Sequence, residues 1–190
     1  MQVELPVFPE LSTERLLLRQ LTPMDAGQLF ILRSDETVNK YLDRPKAASV
    51  EDAKAFINKI NLGISSGQNM YWGICFKESP EVIGTICLWN FSKEESKTEI
   101  GYELLPQFHG KGIMQEAFMK VLDFAFHNLQ MTSIDAWTTI QNDASKKILQ
   151  RNGFKRNEEL ENTIDRSVEG PDLVIYSLSK ETFKPQVAVL

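Results

Sequence analysis

The chain has 190 residues, 42% apolar and 25% charged, which is enough for one sizeable core and fits a single domain over residues 1–190. A net charge of −5 and a pI near 5.2 argue against general nucleic-acid binding, which draws affinity from counterion release at a basic surface, and favour a cationic or neutral partner. There is no run of about 18 apolar residues and no basic leader followed by an apolar segment, so membrane spanning and secretion are not expected and the cytoplasm is the default compartment.

Residues 1–12 include Pro6 and Pro9 and read as a lead-in, after which Arg15 to Leu21 has the apolar run of a buried strand. Thr22-Pro23-Met24-Asp25 announces a helix that fades near Ser34, with Thr22 as cap, Pro23 at the first position and Asp25 as the capping-box partner. After a loop around Pro45, Ser49 and Asp52 start a second helix, apolar at Val50, Ala53, Phe56, Ile57 and Ile60 and ended by Gly63 and Gly67. Met70 to Phe76 and Val82 to Phe91 flank a polar turn and predict an antiparallel hairpin. In that hairpin Cys75 lies opposite a residue near Gly84 and so does not meet Cys87, which favours free thiols and a reducing compartment.

A strand from Glu99 to Leu105 follows, then a Pro106-initiated loop carrying Gly110 and Gly112, then a long amphipathic helix from Gly112 to about Asn128. Ser133 to Thr138 reads as a strand and Asn142 to Asn152 as a helix closed by Gly153. Phe154 to about Leu160 and Leu173 to Leu178 read as strands separated by the polar stretch Glu161 to Asp172. The order βααβββαβαββ implies a mixed α/β fold: about seven strands in a largely antiparallel sheet, flanked by four helices, with a parallel pair around the Gly112 helix.

The strand, glycine-bearing turn and helix start between Glu99 and Phe118 form an anion-binding arrangement, because unpaired N–H groups and the positive end of the helix dipole converge there. A Walker loop needs Ser or Thr where Gly112 stands, and the dinucleotide fingerprint needs Gly at Gln115, so neither pattern is met. His109 and His127 have no ligand-spaced cysteine, which argues against a zinc site. Glu116 reads as a surface pair with Lys120. Glu99, Gly101 and Glu103 share one face of their strand by alternation, so both carboxylates can serve as proton acceptors or simply meet solvent. Asn142 reads as a helix cap and Ser145 as a first-turn residue.

Three motifs resemble the GNAT superfamily of acetyl-CoA-dependent N-acetyltransferases, and within it the RimJ/RimL-like branch. Gln107-Phe108-His109-Gly110-Lys111-Gly112 followed by Glu116-Ala117 matches the family's Gln/Arg-x-x-Gly-x-Gly/Ala loop. Asn142 to Leu149 with Asn152-Gly153-Phe154 matches its Asn-x-x-Ser run, and Thr13 to Arg19 is similar to the branch's first strand.

The resemblance implies that acetyl-CoA is the co-substrate. Its pyrophosphate would be cradled by backbone N–H groups of the loop through Gln107, Gly110, Lys111, Gly112, Ile113 and Met114, and its pantetheine arm would pair with the strand from Glu103 to Leu105, at Leu104 and Leu105 in particular. Gly101 is expected to mark a bulge that opens the sheet. By the same resemblance Ser145 would give a proton to the leaving thiolate, Asn142 would bond the cofactor arm or a water, and the Leu104 N–H would stabilise the oxyanion. Glu103, nearer the loop than Glu99, is the favoured base.

The acceptor is then an amine, either a protein N-terminal α-amine or a small molecule, bound by a monomer or homodimer. The acceptor loops implied are Asn39 to Ala48 and Glu161 to Asp172, whose Asp43, Arg44, Glu161, Asp165, Arg166 and Glu169 favour no single substrate by sign. Two rival readings are a non-catalytic acyl-CoA-binding or sensory module and a subunit that assembles through an exposed strand edge or its apolar C-terminal tail from Phe183.

Overall fold

The computed structural model describes residues 7–42, 44–92 and 94–185, so Asp43 and the last part of the C-terminal tail lie outside the described residues. The strands are β1 (Leu11–Ser12), β2 (Leu16–Gln20), β3 (Asn69–Phe76), β4 (Gly84–Ser92), β5 (Lys97–Leu104), β6 (Ser133–Thr139), β7 (Lys155–Arg156) and β8 (Leu173–Ser179). The helices are α1 (Ala26–Ser34), α2 (Glu36–Asn39), α3 (Val50–Ser65), α4 (Ile113–His127), α5 (Asp143–Arg151), α6 (Glu158–Glu161) and α7 (Arg166–Glu169).

The strands form one sheet in the order β1-β2-β3-β4-β5-β6-β8-β7. All neighbours are antiparallel except β5 and β6, which are joined through α4 and run parallel, as the sequence predicts. Among the described residues no helix is long and apolar enough to cross a membrane.

Alternation along the strands divides the interior between the two sheet faces. On β3, Met70, Trp72 and Ile74 face a core completed by Phe118, Val121, Leu122 and Ala125 of α4 and Leu149 of α5. Tyr71 and Cys75 face the other way, toward Leu29 and Leu32 of α1 and Ala53, Ile57 and Ile60 of α3. Helices α1, α3, α4 and α5 therefore bury one stripe and leave the other toward water.

The expected mixed α/β class holds, and the differences lie at the ends of elements. Among the described residues eight strands and seven helices replace the expected seven and four, because short pieces form where the sequence reads as lead-in, loop or strand end. Leu11 is buried and pairs with Leu18, turning part of the lead-in into β1. Asp35 accepts from the Val38 N–H and so caps the extra turn α2. The expected strand from Phe154 to Leu160 is cut to two residues, because Asn157 accepts from the Leu160 N–H and starts α6. Another short helix, α7, lies within the polar stretch before β8.

At Thr22 the Asp25 carboxylate accepts from the cap's N–H at 2.7 Å as expected, but the first turn is a 3-10 turn over Pro23–Asp25. The Ser49 and Asp52 capping box forms in full. Gly63 stays inside α3, where a Cβ would meet Asn69 Nδ2 at 2.0 Å, and the helix ends by Gly67 at φ +66°. Gly101 is not at a bulge: it pairs in register with Cys87, whose Sγ a Cβ would approach to 3.2 Å, and the register shifts instead between Trp89 and Ser92. Cys75 pairs with Leu17 and Cys87 with Tyr71 and Gly101, so both cysteines are free.

Candidate active site

The loop after β5 begins with a 3-10 turn over Pro106–Phe108 and reaches α4 through Gly110 at φ +73° and Gly112 at φ +72°. That left-handed backbone is what requires glycine at both places, and a Cβ at Gly110 would meet nothing within 4 Å. Gly112 is the N-cap of α4, whose carbonyl accepts from the Glu116 N–H. The N–H groups of the helix's first turn, at Ile113 and Met114, precede that first bond and point out of the helix start. The side chains of Gln107 and Lys111 are exposed and Met114 is partly buried against the core, while Ile113 is buried and can serve a ligand only through its main chain.

A buttress that the sequence reading missed stands behind this loop. Glu116 binds the Thr13 hydroxyl, the Arg15 N–H at 2.9 Å and the Arg15 Nε at 2.6 Å, while Arg15 also donates to the Lys111 carbonyl at 3.1 Å. Burial works against the Glu116 charge, but these bonds outweigh it and hold the carboxyl below its usual range. Glu116 is therefore not a surface partner of Lys120. It ties the start of β2 to the loop and to α4, which gives two separate sequence motifs a common physical purpose.

Strand β5 leads into the loop along an open edge. Its parallel pairing with β6 covers Lys97, Thr98 and Glu99 against Ser133, Ile134 and Asp135, while residues 100–104 and 136–139 continue beyond the paired segment. The Leu105 N–H donates to Ile83 on the β4 side, so alternation turns the main-chain groups of Tyr102 and Leu104 toward the gap. His109 Nε2 donates to the Leu104 carbonyl at 2.8 Å and leaves the Leu104 N–H facing that gap.

Two side-chain groups flank the gap on opposite sheet faces. On the α4 and α5 side, Tyr102 packs edge-to-face on Phe118, and its hydroxyl lies 2.8 Å from Ser145 Oγ. Ser145 sits in the first turn of α5, where its N–H donates to Asn142 Oδ1 at 3.1 Å, so Asn142 is the helix cap. On the α1 and α3 side, Glu103 is buried with a 6% exposed side chain and pairs with Arg44. It accepts from Thr85 at 3.0 Å and from Tyr71 at 3.4 Å, and Asn39 orients Arg44 by accepting from its Nε at 3.0 Å.

Glu99 shares the Glu103 face at the paired end of the strand and accepts from Asn90 at 2.6 Å. Partial burial, with Asp135 adding, holds its carboxyl above the usual range despite that bond. Burial, with Glu103 adding, pushes the Cys87 thiol on the same face up to about 12, so it stays protonated.

The acetyltransferase (GNAT) domain family matches residues 15–155. This chain belongs to the GNAT family. It is 30% identical over 174 residues to YoaA of Bacillus subtilis (strain 168), named an uncharacterized N-acetyltransferase, covering 92% of this chain and 98% of that protein. It is 33% identical over 173 residues to the N-acetyltransferase p20 of Bacillus licheniformis, with 91% and 97% covered. The fold matches Mycobacterium smegmatis RimJ in complex with CoA-disulfide at a TM-score of 0.78 and 18% identity, over 92% of this chain and 88% of that one. The protein is thus an acetyl-transferring acyltransferase, and its fold is like that of RimJ.

The GNAT fold binds acetyl-CoA, and the residues present suit that ligand. Two left-handed glycines and a helix start offer N–H groups to a pyrophosphate, and an open strand edge offers an N–H and carbonyl groups to an amide-bearing arm. Of the expected site residues, the structure brings Leu104, Gly110, Gly112, Ile113, Met114, Asn142 and Ser145 to the gap or to the loop at its mouth. Glu103 stands beside the gap on the opposite face from Ser145, and Glu99 lies farther back.

The charges in the two stretches expected to form acceptor loops are largely neutralised inside the fold. Arg44 pairs with Glu103, Arg156 and Arg166 both pair with Glu161, and Asp165 caps α7. Tyr102, Tyr71 and Thr85 escaped the sequence reading, although alternation on β5 already places Tyr102 opposite Glu103.

Proposed function

We propose that the protein transfers acetyl from acetyl-CoA to a primary amine by direct attack in a ternary complex, with a protein N-terminal α-amine as the first acceptor to test and small amines as the second. The observation that carries this reading is the gap between β5 and β6, with the glycine loop at its mouth and the Tyr102–Ser145 pair on one wall. The acceptor class rests on the RimJ/RimL-like resemblance.

The loop N–H groups hold the pyrophosphate, and the main chain of Tyr102 and Leu104, rather than the expected Leu105, whose N–H and carbonyl are bonded to Ile83 and Phe108, aligns the arm so that the thioester carbonyl lies near the Leu104 N–H, the oxyanion donor. The amine approaches from the α1 and α3 side. Glu103 takes its proton, directly or through water, because it follows Tyr102 in the strand and so stands beside the reacting carbon. Glu99 lies about 13 Å away along the strand, at roughly 3.3 Å per residue, and acts on the approach of the amine rather than on the same nitrogen. In the resting protein the Arg44 guanidinium pairs with Glu103, and an incoming ammonium replaces one cation by another. Ser145 gives its proton to the departing thiolate and regains one from water. Asn142 holds Ser145 in place through its cap bond and keeps its amide nitrogen for the arm.

An acetyl-CoA assay for free thiol, run on a panel of amines that includes peptides beginning with Ala or Ser, spermidine and amino-acid amides, tests the reading. Acetylation of a peptide amine is the expected result. Release of no thiol across the panel, combined with a clear thermal shift by acetyl-CoA, establishes the binding-module alternative. At a ligand concentration several hundred times the dissociation constant, mass action predicts stabilisation of about 3 kcal/mol. No shift under those conditions removes the cofactor assignment.

A further inference from the structure

We propose that Tyr102 is the positioning residue of Ser145, turning the serine hydroxyl toward the leaving sulfur. This rests on the role given to Ser145 above. The two hydroxyl oxygens lie 2.8 Å apart, and among the described residues Ser145 Oγ is the phenol's hydrogen-bonding partner. A largely enclosed hydroxyl needs an acceptor, and the one at hand is Oγ, so the phenol donates. Ser145 has a single hydrogen, which is therefore released from the tyrosine and free to point into the gap between β5 and β6.

Both partners are placed by the elements that build the cofactor side. The Tyr102 ring is pinned edge-to-face on Phe118, with centroids 5.0 Å apart and planes at 89°, and Phe118 is fully buried on α4. The serine backbone is fixed by the Asn142 cap bond. A free serine hydroxyl samples three rotamers and many hydrogen directions; a donor behind its oxygen removes those that point back into the wall. The donated bond also polarises the serine O–H, because hydroxyls in a chain strengthen one another. Burial pushes the phenol well above its ordinary range, so Tyr102 keeps its own proton and acts only through Ser145. The proton gained by sulfur is the serine's, and the serine's is replaced from water.

The test is a double-mutant cycle of Tyr102→Phe and Ser145→Ala on the full chain, with acetyl-CoA and an alanyl peptide amide, or the fastest amine of the panel. Phenylalanine keeps the ring on Phe118 and removes only the donor. Tyr102→Phe is expected to lower kcat about tenfold, the size of one lost hydrogen bond in the transition state, with KM for acetyl-CoA unchanged within about twofold. In the Ser145→Ala background the same change is expected to alter kcat by less than about twofold, since the residue through which it acts is gone.

An equal loss of kcat in both backgrounds, which a merely structural role produces, overturns the proposal. So does an unchanged kcat in Tyr102→Phe while Ser145→Ala is slow. Full activity of Ser145→Ala removes the acid role of Ser145 itself, and with it the reason for Tyr102; the two failures are thus told apart.

Discussion

The two faces of the sheet beside the β5–β6 gap are built on different principles. On the α4 and α5 face the functional groups are mostly main-chain N–H groups and hydroxyls, set by two left-handed glycines, a helix start and a helix cap. On the α1 and α3 face stands a charge, the buried Glu103 neutralised by Arg44, and at the β7–β8 edge of the sheet a second buried carboxylate, Glu161, is neutralised by Arg156 and Arg166. The first face suits a ligand whose chemistry never varies, since backbone geometry offers little to retune. The second rests on side-chain charge, and its Arg44–Glu103 pair joins residues 59 apart in sequence, so a change in one loop residue alters the pairing.

The sharpest way to separate the faces is Glu103→Gln. It keeps the size of a buried side chain that accepts from Thr85 and Tyr71 but removes the charge and the basic oxygen. Turnover is expected to fall about 100-fold, the lower range of general-base contributions, with KM for acetyl-CoA unchanged within about twofold. Steady-state kinetics on the peptide amine and a thermal shift by acetyl-CoA read the two quantities. A matching loss of acetyl-CoA affinity breaks the division between the faces.

The opposite probe is Gly112→Ala. A non-glycine residue in the left-handed region costs about 1 to 2 kcal/mol, which distorts the loop or the helix start. The expected result is KM for acetyl-CoA raised about tenfold and KM for the amine unchanged. An effect confined to the melting temperature shows that the loop recovers its geometry on binding.

This contrast also explains what the sequence made legible. The cofactor side is encoded locally: Gly110 and Gly112 demand one backbone conformation, and Asn142 caps the next helix three residues before Ser145, so short patterns predict their place. The proposed acceptor side depends at Glu103 on long-range pairing. Nothing in the run around Arg44 says that it meets Glu103, 59 residues away, or that Asn39 orients it. The same holds for Glu116, whose nearest helical neighbour in sequence is Lys120 but whose partners, Thr13 and Arg15, lie 103 and 101 residues upstream. The fold class was readable from alternation and helical spacing. The short pieces β1, α2, α6 and α7 were not, and β7 was read as a longer strand, because one pairing or one cap decides such pieces and periodicity has no room to act.

The smallest expected effect on chemistry comes from Glu161, and it tests whether the acceptor side rests on ion pairs at all. Its carboxylate is 3% exposed, accepts two bonds from Arg156 at 2.9 Å each and one from the Ile175 N–H at 3.0 Å, and faces Arg166 at 3.3 Å. The Arg156 bonds, opposed by burial and helped by Ile175 and Arg166, hold its carboxyl down at about 2. A carboxyl lowered on folding stabilises the protein above its unfolded value near 4.3, and that stability is lost as pH falls from about 5 toward 2. Because both arginines are partly exposed and screened, the contribution at neutral pH is about 2 kcal/mol rather than the full linkage value. Glu161→Gln is therefore expected to melt about 5 °C lower at pH 7 and to lose less stability than the parent between pH 5 and 2, so that the two curves converge in acid. Its KM for the amine should rise while KM for acetyl-CoA stays put, because β8, which Glu161 holds through Ile175, is separated from the Gly112 loop by β6 and the gap. Parallel melting curves at every pH show that hydrogen bonding of the loop, rather than its charge, carries the acceptor side.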